Sequence, residues 1–212
     1  MEVAIFTFNP FAENTYVLFD DSKECVIIDP GCNTKEEEEE LSNFIESKGL
    51  KPVLLLNTHC HIDHVLGNRY VANQYGLKLT SHQGEKVVLD ANVTVSGMYG
   101  IPYTESPPIE VFLEEGDHVK FGHSELKVLF TPGHSPASIS FYNEDAGLLI
   151  AGDVLFDGSI GRTDLPGGDF NTLIQSVEEK FFTLPDETHV FPGHGPSTTV
   201  GKEKASNPFF NR

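Results

Sequence analysis

Short apolar runs ending in glycine beside histidine or aspartate recur four times in this chain. Cys25–Ile28 leads to Asp29-Pro30-Gly31, and Leu126–Phe130 to Thr131-Pro132-Gly133-His134. Leu148–Ala151 leads to Gly152-Asp153, and His189–Phe191 to Pro192-Gly193-His194-Gly195. Runs this short, closed by such breakers, read as strands. A further run, Pro52–Leu56, ends in Thr58-His59-Cys60-His61-Ile62-Asp63-His64. Helical spacing follows several of these runs. The pattern predicts two sheets packed face to face with helices outside, and a site along one edge of strand ends.

Other elements follow from the same reading. Val3–Phe8 and Thr15–Phe19 read as strands, with Asn9-Pro10 and Glu13-Asn14 in the turn. Asn33 or Thr34 caps a helix to about Lys48, closed by Gly49, with Leu41, Phe44 and Ile45 inward. Asp63–Tyr75 reads as one helix closed by Gly76, then a strand at Leu77–Thr80 and a short helix at His82–Leu89. Asn92 to Pro108 reads as irregular, and its Met98, Tyr99, Ile101 and Tyr103 either cover a site or tuck against the core. Ile109–Leu113, Val119–Phe121 and Ser138–Tyr142 read as strands of a second half. Phe170–Phe182 reads as a helix with Leu173, Ile174, Val177 and Phe181 inward. No linker composition divides the chain, so residues 1–212 are expected to form a single domain.

The 14 Lys and Arg against 32 Asp and Glu leave a net charge of -18. Such a field argues against nucleic-acid binding and against anionic membrane surfaces. The acidic block Glu36–Glu40 suits the first turns of a helix and reads as a solvated face. Three cysteines, Cys25, Cys32 and Cys60, make no disulfide framework. The N-terminus enters a strand with no export signal, and the expected compartment is the cytoplasm.

The histidine cluster carries the chemistry. If the chain is still extended there, the side chains of His59 and His61 leave on the same side and can chelate one cation. Cys60 then points away and reads as a small buried filler. Asp63 and His64, at the start of the next helix, can reach a neighbouring cation, so the spacing suggests two metal positions. Imidazole and carboxylate without thiolate suit zinc, iron or manganese. Two cations lower the pKa of a shared water toward neutrality, giving a nucleophile that needs no serine or cysteine. Asp29 is either a supporting partner or a turn residue. His82, His118, His123 and His189 are given no role.

The ordered set His59-x-His61-x-Asp63-His64, His134, Asp153 and His194 resembles the metallo-β-lactamase superfamily over about residues 3 to 200. The resemblance implies a four-layer αββα sandwich with its metals at one sheet edge. It implies that His59, His61 and His134 hold one divalent metal ion, that Asp63, His64 and His194 hold the second, and that Asp153 bridges both. Asp63 and Asp153 are then the catalytic carboxylates, and zinc is the expected metal of the pair.

The stretch from Ala151 to Phe156, followed by Ile160-Gly161-Arg162-Thr163-Asp164, looks like the glyoxalase II group in its short bacterial form. That implies hydrolysis of a small-molecule thioester such as S-lactoylglutathione by a hydroxide bridging the metals. The Gly-Arg-Thr-Asp stretch also looks like the persulfide dioxygenase branch, which uses one iron. Arg162 would bind the substrate's carboxylate, or else lock its loop through Asp164 or Asp169. The tail Gly201–Phe210 is too short for the C-terminal helical domain of two-domain glyoxalase II proteins. A β-lactamase would be expected to be exported, and nuclease branches need a basic groove. A reading of another class is a degenerate, metal-dependent binding module.

Overall fold

A seven-residue antiparallel pair begins the fold: β1 (Glu2–Phe8) lies on β2 (Glu13–Phe19), in register from Glu2 opposite Phe19 to Phe8 opposite Glu13. Glu13 and Asn14 therefore belong to β2, and the turn is shorter than the sequence suggested. Asn9 and Ala12 take positive φ, 53° and 54°, to close it. The computed structural model describes residues 1–210. It forms two compact units, residues 1–113 with 120–125, and residues 114–119 with those from 126 onward. Among the described residues no helix is long and apolar enough to cross a membrane.

In the first unit the chain continues through β3 (Glu24–Ile28), α1 (Lys35–Lys48), β4 (Lys51–Leu56), α2 (Ile62–Val65), α3 (Asn68–Tyr75), β5 (Leu79–Ser81), α4 (Lys86–Tyr99) and β6 (Ile109–Phe112). The strands make one sheet in the order β1-β2-β3-β4-β5-β6. β1, β2 and β3 pair antiparallel, while β3–β4, β4–β5 and β5–β6 are parallel. Parallel neighbours need crossovers, which the helices supply. The consequence for function is direct: β3, β4 and β5 end on the same edge, where open sheets of this kind bind ligands. Val17, Phe19, Cys25, Ile27 and Leu55 pack with Leu41 and Ile45 of α1, Val71 of α3 and Leu89 of α4. Tyr16, Leu18, Val26, Ile28 and Leu56, on the opposite face, are also buried.

Local signals explain the helix ends. Thr34 and Glu37 form a reciprocal capping box on α1, and Gly49 closes it at φ 64°; such a cap is worth about 1 kcal/mol.

Two expectations fail here. The helix expected over Asp63–Tyr75 is two helices, broken at Leu66 and Gly67. The Gly67 amide donates to the Pro30 carbonyl at 2.7 Å, and a Cβ there would sit 2.4 Å from Cys32 Sγ. Close approach of another loop, not local propensity, breaks the helix. Conversely, the segment expected to be irregular from Asn92 is helical to Tyr99. Its β-branched residues and Gly97 are weak helix formers, but fully buried Asn92 donates to the Cys60 carbonyl at 2.9 Å, which fixes α4 in place. Met98 and Tyr99 are exposed, whereas Tyr103 packs on the core.

The second unit carries β7 (His118–Phe121), β8 (Ser124–Phe130), β9 (Ile139–Asn143), β10 (Leu148–Gly152), the hairpin β11 (Leu155–Phe156) and β12 (Ser159–Ile160), α5 (Phe170–Ser176), β13 (His189–Pro192), β14 (Thr198–Thr199) and α6 (Val200–Ser206). The tip of the β7–β8 hairpin, residues 120–125 with both strand ends, counts with the first unit. The second sheet runs β14-β13-β10-β9-β8-β7. Ile109–Phe112, expected in the second half, is instead the edge of the first sheet. β10 and β13 are parallel, with α5 crossing between them, so Gly152-Asp153 and Gly193-His194 emerge side by side. Gly193 N–H donates to the Gly152 carbonyl at 2.9 Å. The expected helix over Phe170–Phe182 widens into a π turn at Val177–Phe181. Leu173, Val177 and Phe181 are fully buried and Ile174 partly so, as the spacing predicted. Each fully buried side chain contributes about 1.5–3 kcal/mol.

Candidate metal centre

The loop after β4 and the helix α2 that follows it carry four of the expected ligands. The loop is held on both sides of Cys60: the Cys60 amide donates to Glu85 Oε2 at 2.9 Å, and its carbonyl accepts from Asn92. Cys60 is fully buried in the core, and burial pushes its thiol well above the ordinary range. With Cys60 turned inward, His59 and His61 share the other side. Their rings meet edge to face at 4.9 Å, and those of His59 and His64 lie 4.1 Å apart. Asp63 Oδ2 stands 3.7 Å from His64 Nε2. His59 and His64 are buried; His61 and Asp63 are half-buried.

Asp29, at the end of β3, orients this loop. Oδ1 accepts from the Thr58 amide at 2.7 Å and from Asn57 Nδ2 at 3.1 Å. Oδ2 accepts from the Thr58 hydroxyl at 2.6 Å and faces His64 Nδ1 at 3.2 Å. Because the Thr58 hydroxyl proton goes to Asp29, its oxygen is left to accept from His59 Nδ1, 3.0 Å away. One carboxylate thus puts the proton on Nδ1 of both imidazoles and leaves Nε2 of each as the lone-pair side. Asp29 is the supporting partner, not simply a turn residue. It can also be grouped with His59 and His64 as a metal-binding trio, but both of its oxygens are already committed to donors.

Glu13 stands behind His64, with Oε1 3.9 Å from Nδ1, and accepts from the Thr15 hydroxyl at 2.9 Å. Burial raises its carboxyl well above the ordinary range; His64 opposes this, and Asp29 adds to it. Glu13, Asn57, Glu85 and Asn92 were not marked by the sequence. Each acts across the sheet edge on a residue distant in the chain, and no local pattern announces such a role.

The second unit carries the other three expected ligands, and they converge on one atom. Asp153 Oδ2 lies 3.5 Å from His134 Nε2 and 3.5 Å from His194 Nε2. His134 Nδ1 donates to the Arg162 carbonyl at 2.8 Å, which again leaves Nε2 to bind. The Arg162 side chain makes two 2.7 Å bonds to Asp164. That guanidinium holds the Asp164 carboxyl down to about 2. His118, His123 and His189 are exposed.

These donors fit divalent cations. Nitrogen and oxygen ligands about 2.1 Å from one tetrahedral cation lie roughly 3.4 Å apart, close to both Asp153 spacings. A metal-binding imidazole characteristically donates its other N–H to a carboxylate or carbonyl, as His64 and His134 do.

Comparison with known proteins agrees. The Metallo-beta-lactamase superfamily pattern matches residues 8–194. The chain is 44% identical over 204 residues to a protein of Bacillus subtilis named "Probable metallo-hydrolase YqgX", covering 95% of this chain and 94% of that one. It is 36% identical to hydroxyacylglutathione hydrolase GloC of Haemophilus influenzae, over 100% of this chain and 99% of the other. Among solved structures, the B3 metallo-β-lactamase BLEG-1 matches with TM-score 0.91 at 37% identity over 100% of both chains. TTHA1623 in a di-iron-bound form matches with TM-score 0.87 at 36% identity, covering 98% of this chain and 100% of that one. ETHE1 from Myxococcus xanthus gives 0.80 at 26% identity, covering 98% and 84%. The chain belongs to the metallo-β-lactamase superfamily, has that superfamily's α/β sandwich fold, and is a metal-dependent hydrolase.

Proposed function

We propose that the protein hydrolyses a small-molecule thioester, such as S-lactoylglutathione, at a dinuclear metal centre. The supporting observation is the position of Asp153 Oδ2 between the Nε2 atoms of His134 and His194. His59, His61 and His134 would hold one cation, Asp63, His64 and His194 the other, and Asp153 both. Residues 1–212 would act as a single domain in this reading. Zinc is the proposed metal, and iron suits the same donors. Bound there, the pair would supply Lewis acidity and a lowered water pKa.

The chain's own residues have separate tasks in this reading. Asp29 keeps His59 and His64 in the binding tautomer, and the Arg162 carbonyl does so for His134. Asp63 and Asp153 are the carboxylates on which turnover depends. A thiolate leaves readily, so no strong protein acid is required. The likeness to GloC supports the thioester. Arg162 would bind the substrate's carboxylate by exchanging its bond to Asp164. Three free cysteines, all buried, fit a cytoplasmic setting.

The test is a panel assay on metal-loaded protein, with metal content measured in parallel. Turnover of thioesters with two metals per chain is expected. No turnover of any thioester overturns the assignment. The likeness to ETHE1 favours a second reading, a mononuclear iron persulfide dioxygenase. Oxygen uptake on glutathione persulfide with one iron per chain would establish it. The likeness to BLEG-1 makes a β-lactam the necessary third arm of the panel. A folded, metal-loaded protein inert in every arm would be the binding module.

A further inference from the structure

Glu203 is a carboxylate with no exposed surface, on α6, outside the set of expected ligands. It accepts from the Thr198 hydroxyl at 2.5 Å, the Gly158 amide at 2.9 Å and Asn207 Nδ2 at 2.8 Å. Its neighbours reach the same place. Lys202 Nζ pairs with Asp157 Oδ1 at 2.5 Å, and Asn207 Nδ2 also donates to the Ser159 carbonyl at 3.0 Å. Asp157 and Gly158 are the turn between β11 and β12, and Ser159 opens β12. Each is held by a different residue of α6 or its C-cap.

That hairpin reaches all three expected ligands of its unit. Asp153 lies just before β11. Phe156 of β11 meets the His194 ring edge to face, centroids 6.4 Å apart. After β12, the Arg162 carbonyl fixes His134 Nδ1. Between them Gly161 approaches so closely that a Cβ would fall 1.8 Å from the Asp153 carbonyl oxygen and 3.1 Å from His134 Nδ1. An apolar side chain would suffice to dock α6. Burying a carboxylate is costly unless donors meet it, and the donors here belong to the hairpin turn, to Thr198 and to the helix cap.

We propose that Glu203 is a positioning residue for His134, Asp153 and His194. It locks residues 157–159, and the locked hairpin sets where the Arg162 carbonyl and the Phe156 ring stand against the two imidazoles. The inference rests on the metal-centre reading above, but it concerns the arrangement of this chain's own side chains.

The experiment compares Glu203→Gln and Asn207→Ala with Lys204→Ala. Lys204 also docks α6, through Asp186 and the Leu184 carbonyl, without touching the hairpin. Imidazole nitrogen NMR on metal-free protein reads the His134 tautomer, and competition with a chelator reads zinc affinity. In the parent protein His134 carries its proton on Nδ1. Both hairpin variants should shift it to a tautomer mixture and lower zinc affinity by about 10-fold or more, as loss of support around metal ligands does. Lys204→Ala should change neither. A parent-like tautomer and affinity in the hairpin variants overturn the proposal, as do equal losses in Lys204→Ala at matched thermal stability. Should Glu203→Gln fail to fold, Asn207→Ala is read by the same criteria. Should the parent bind no zinc, the metal reading fails alone, and the tautomer comparison still decides the positioning role.

Discussion

Asp29 follows β3 and His64 lies on α2, yet Asp29 Oδ2 stands 3.2 Å from His64 Nδ1 while accepting the Thr58 hydroxyl proton. The contact ties two imidazoles to one buried charge. Asp29→Asn keeps the shape but replaces one acceptor with a donor, which then faces either the Thr58 amide and Asn57 or the Thr58 hydroxyl and His64. Zinc affinity should fall about 10- to 100-fold, measured by chelator competition on protein that remains folded. Unchanged affinity would show that the imidazoles hold their tautomers without Asp29.

Asp153→Ala should cost more turnover than Arg162→Ala. Asp153 stands between two imidazole nitrogens, whereas Arg162 is exposed and paired with Asp164. Loss of Asp153 should lower metal content and kcat together. Loss of the Arg162 side chain should mainly raise KM, the sign of lost ground-state binding. Metal analysis beside steady-state kinetics on the active thioester makes the comparison. A two-metal Asp153→Ala protein with near-normal kcat would remove the bridging role.

Gly161→Ala should be far more damaging than Gly147→Ala. The first places a Cβ against the Asp153 carbonyl, an overpacking worth about 1–3 kcal/mol, and it pushes on two ligands. The second has open space around it and a φ of 57°, so it carries only left-handed strain of about 1 kcal/mol. Chemical denaturation and zinc affinity should separate them: both variants lose stability, and only Gly161→Ala loses metal.

Asp20 makes a pH-dependent contribution. Burial opposes its ionisation, but hydrogen bonds from the Ser22 and Ser124 hydroxyls and the His123 and Ser22 amides outweigh it and hold the carboxyl well below its ordinary value. With the folded value depressed, the stabilisation is complete above the ordinary value of 3.8 and is lost as pH falls below it. Asp20→Asn should therefore cost roughly 0.5–1 kcal/mol near neutrality, hydrogen bonds to a charged group being weakened here by solvent screening. The gap from the parent should narrow below about pH 4. A gap that stays constant into acid would assign the loss to packing.

The order of most elements and the positions of the candidate donors are legible in the sequence. Strand-length apolar runs ending in glycine beside histidine or aspartate put Asp29, His59, His134, Asp153 and His194 at strand ends, because breakers and periodicity are local properties. The Thr34 cap and the Leu173-Val177-Phe181 stripe were legible for the same reason. Contacts between distant segments account for what local pattern cannot encode. Gly67 broke a helix because Pro30 and Cys32 press against it, and Asn92 made a helix of a weak sequence by bonding to Cys60. Which ring nitrogen of His59, His64 and His134 faces outward was settled by Asp29, Thr58 and the Arg162 carbonyl. Those partners come from elsewhere in the chain or act through a carboxylate that does. Only the parallel pairing of β3 with β4 and of β10 with β13 brings such strand ends side by side.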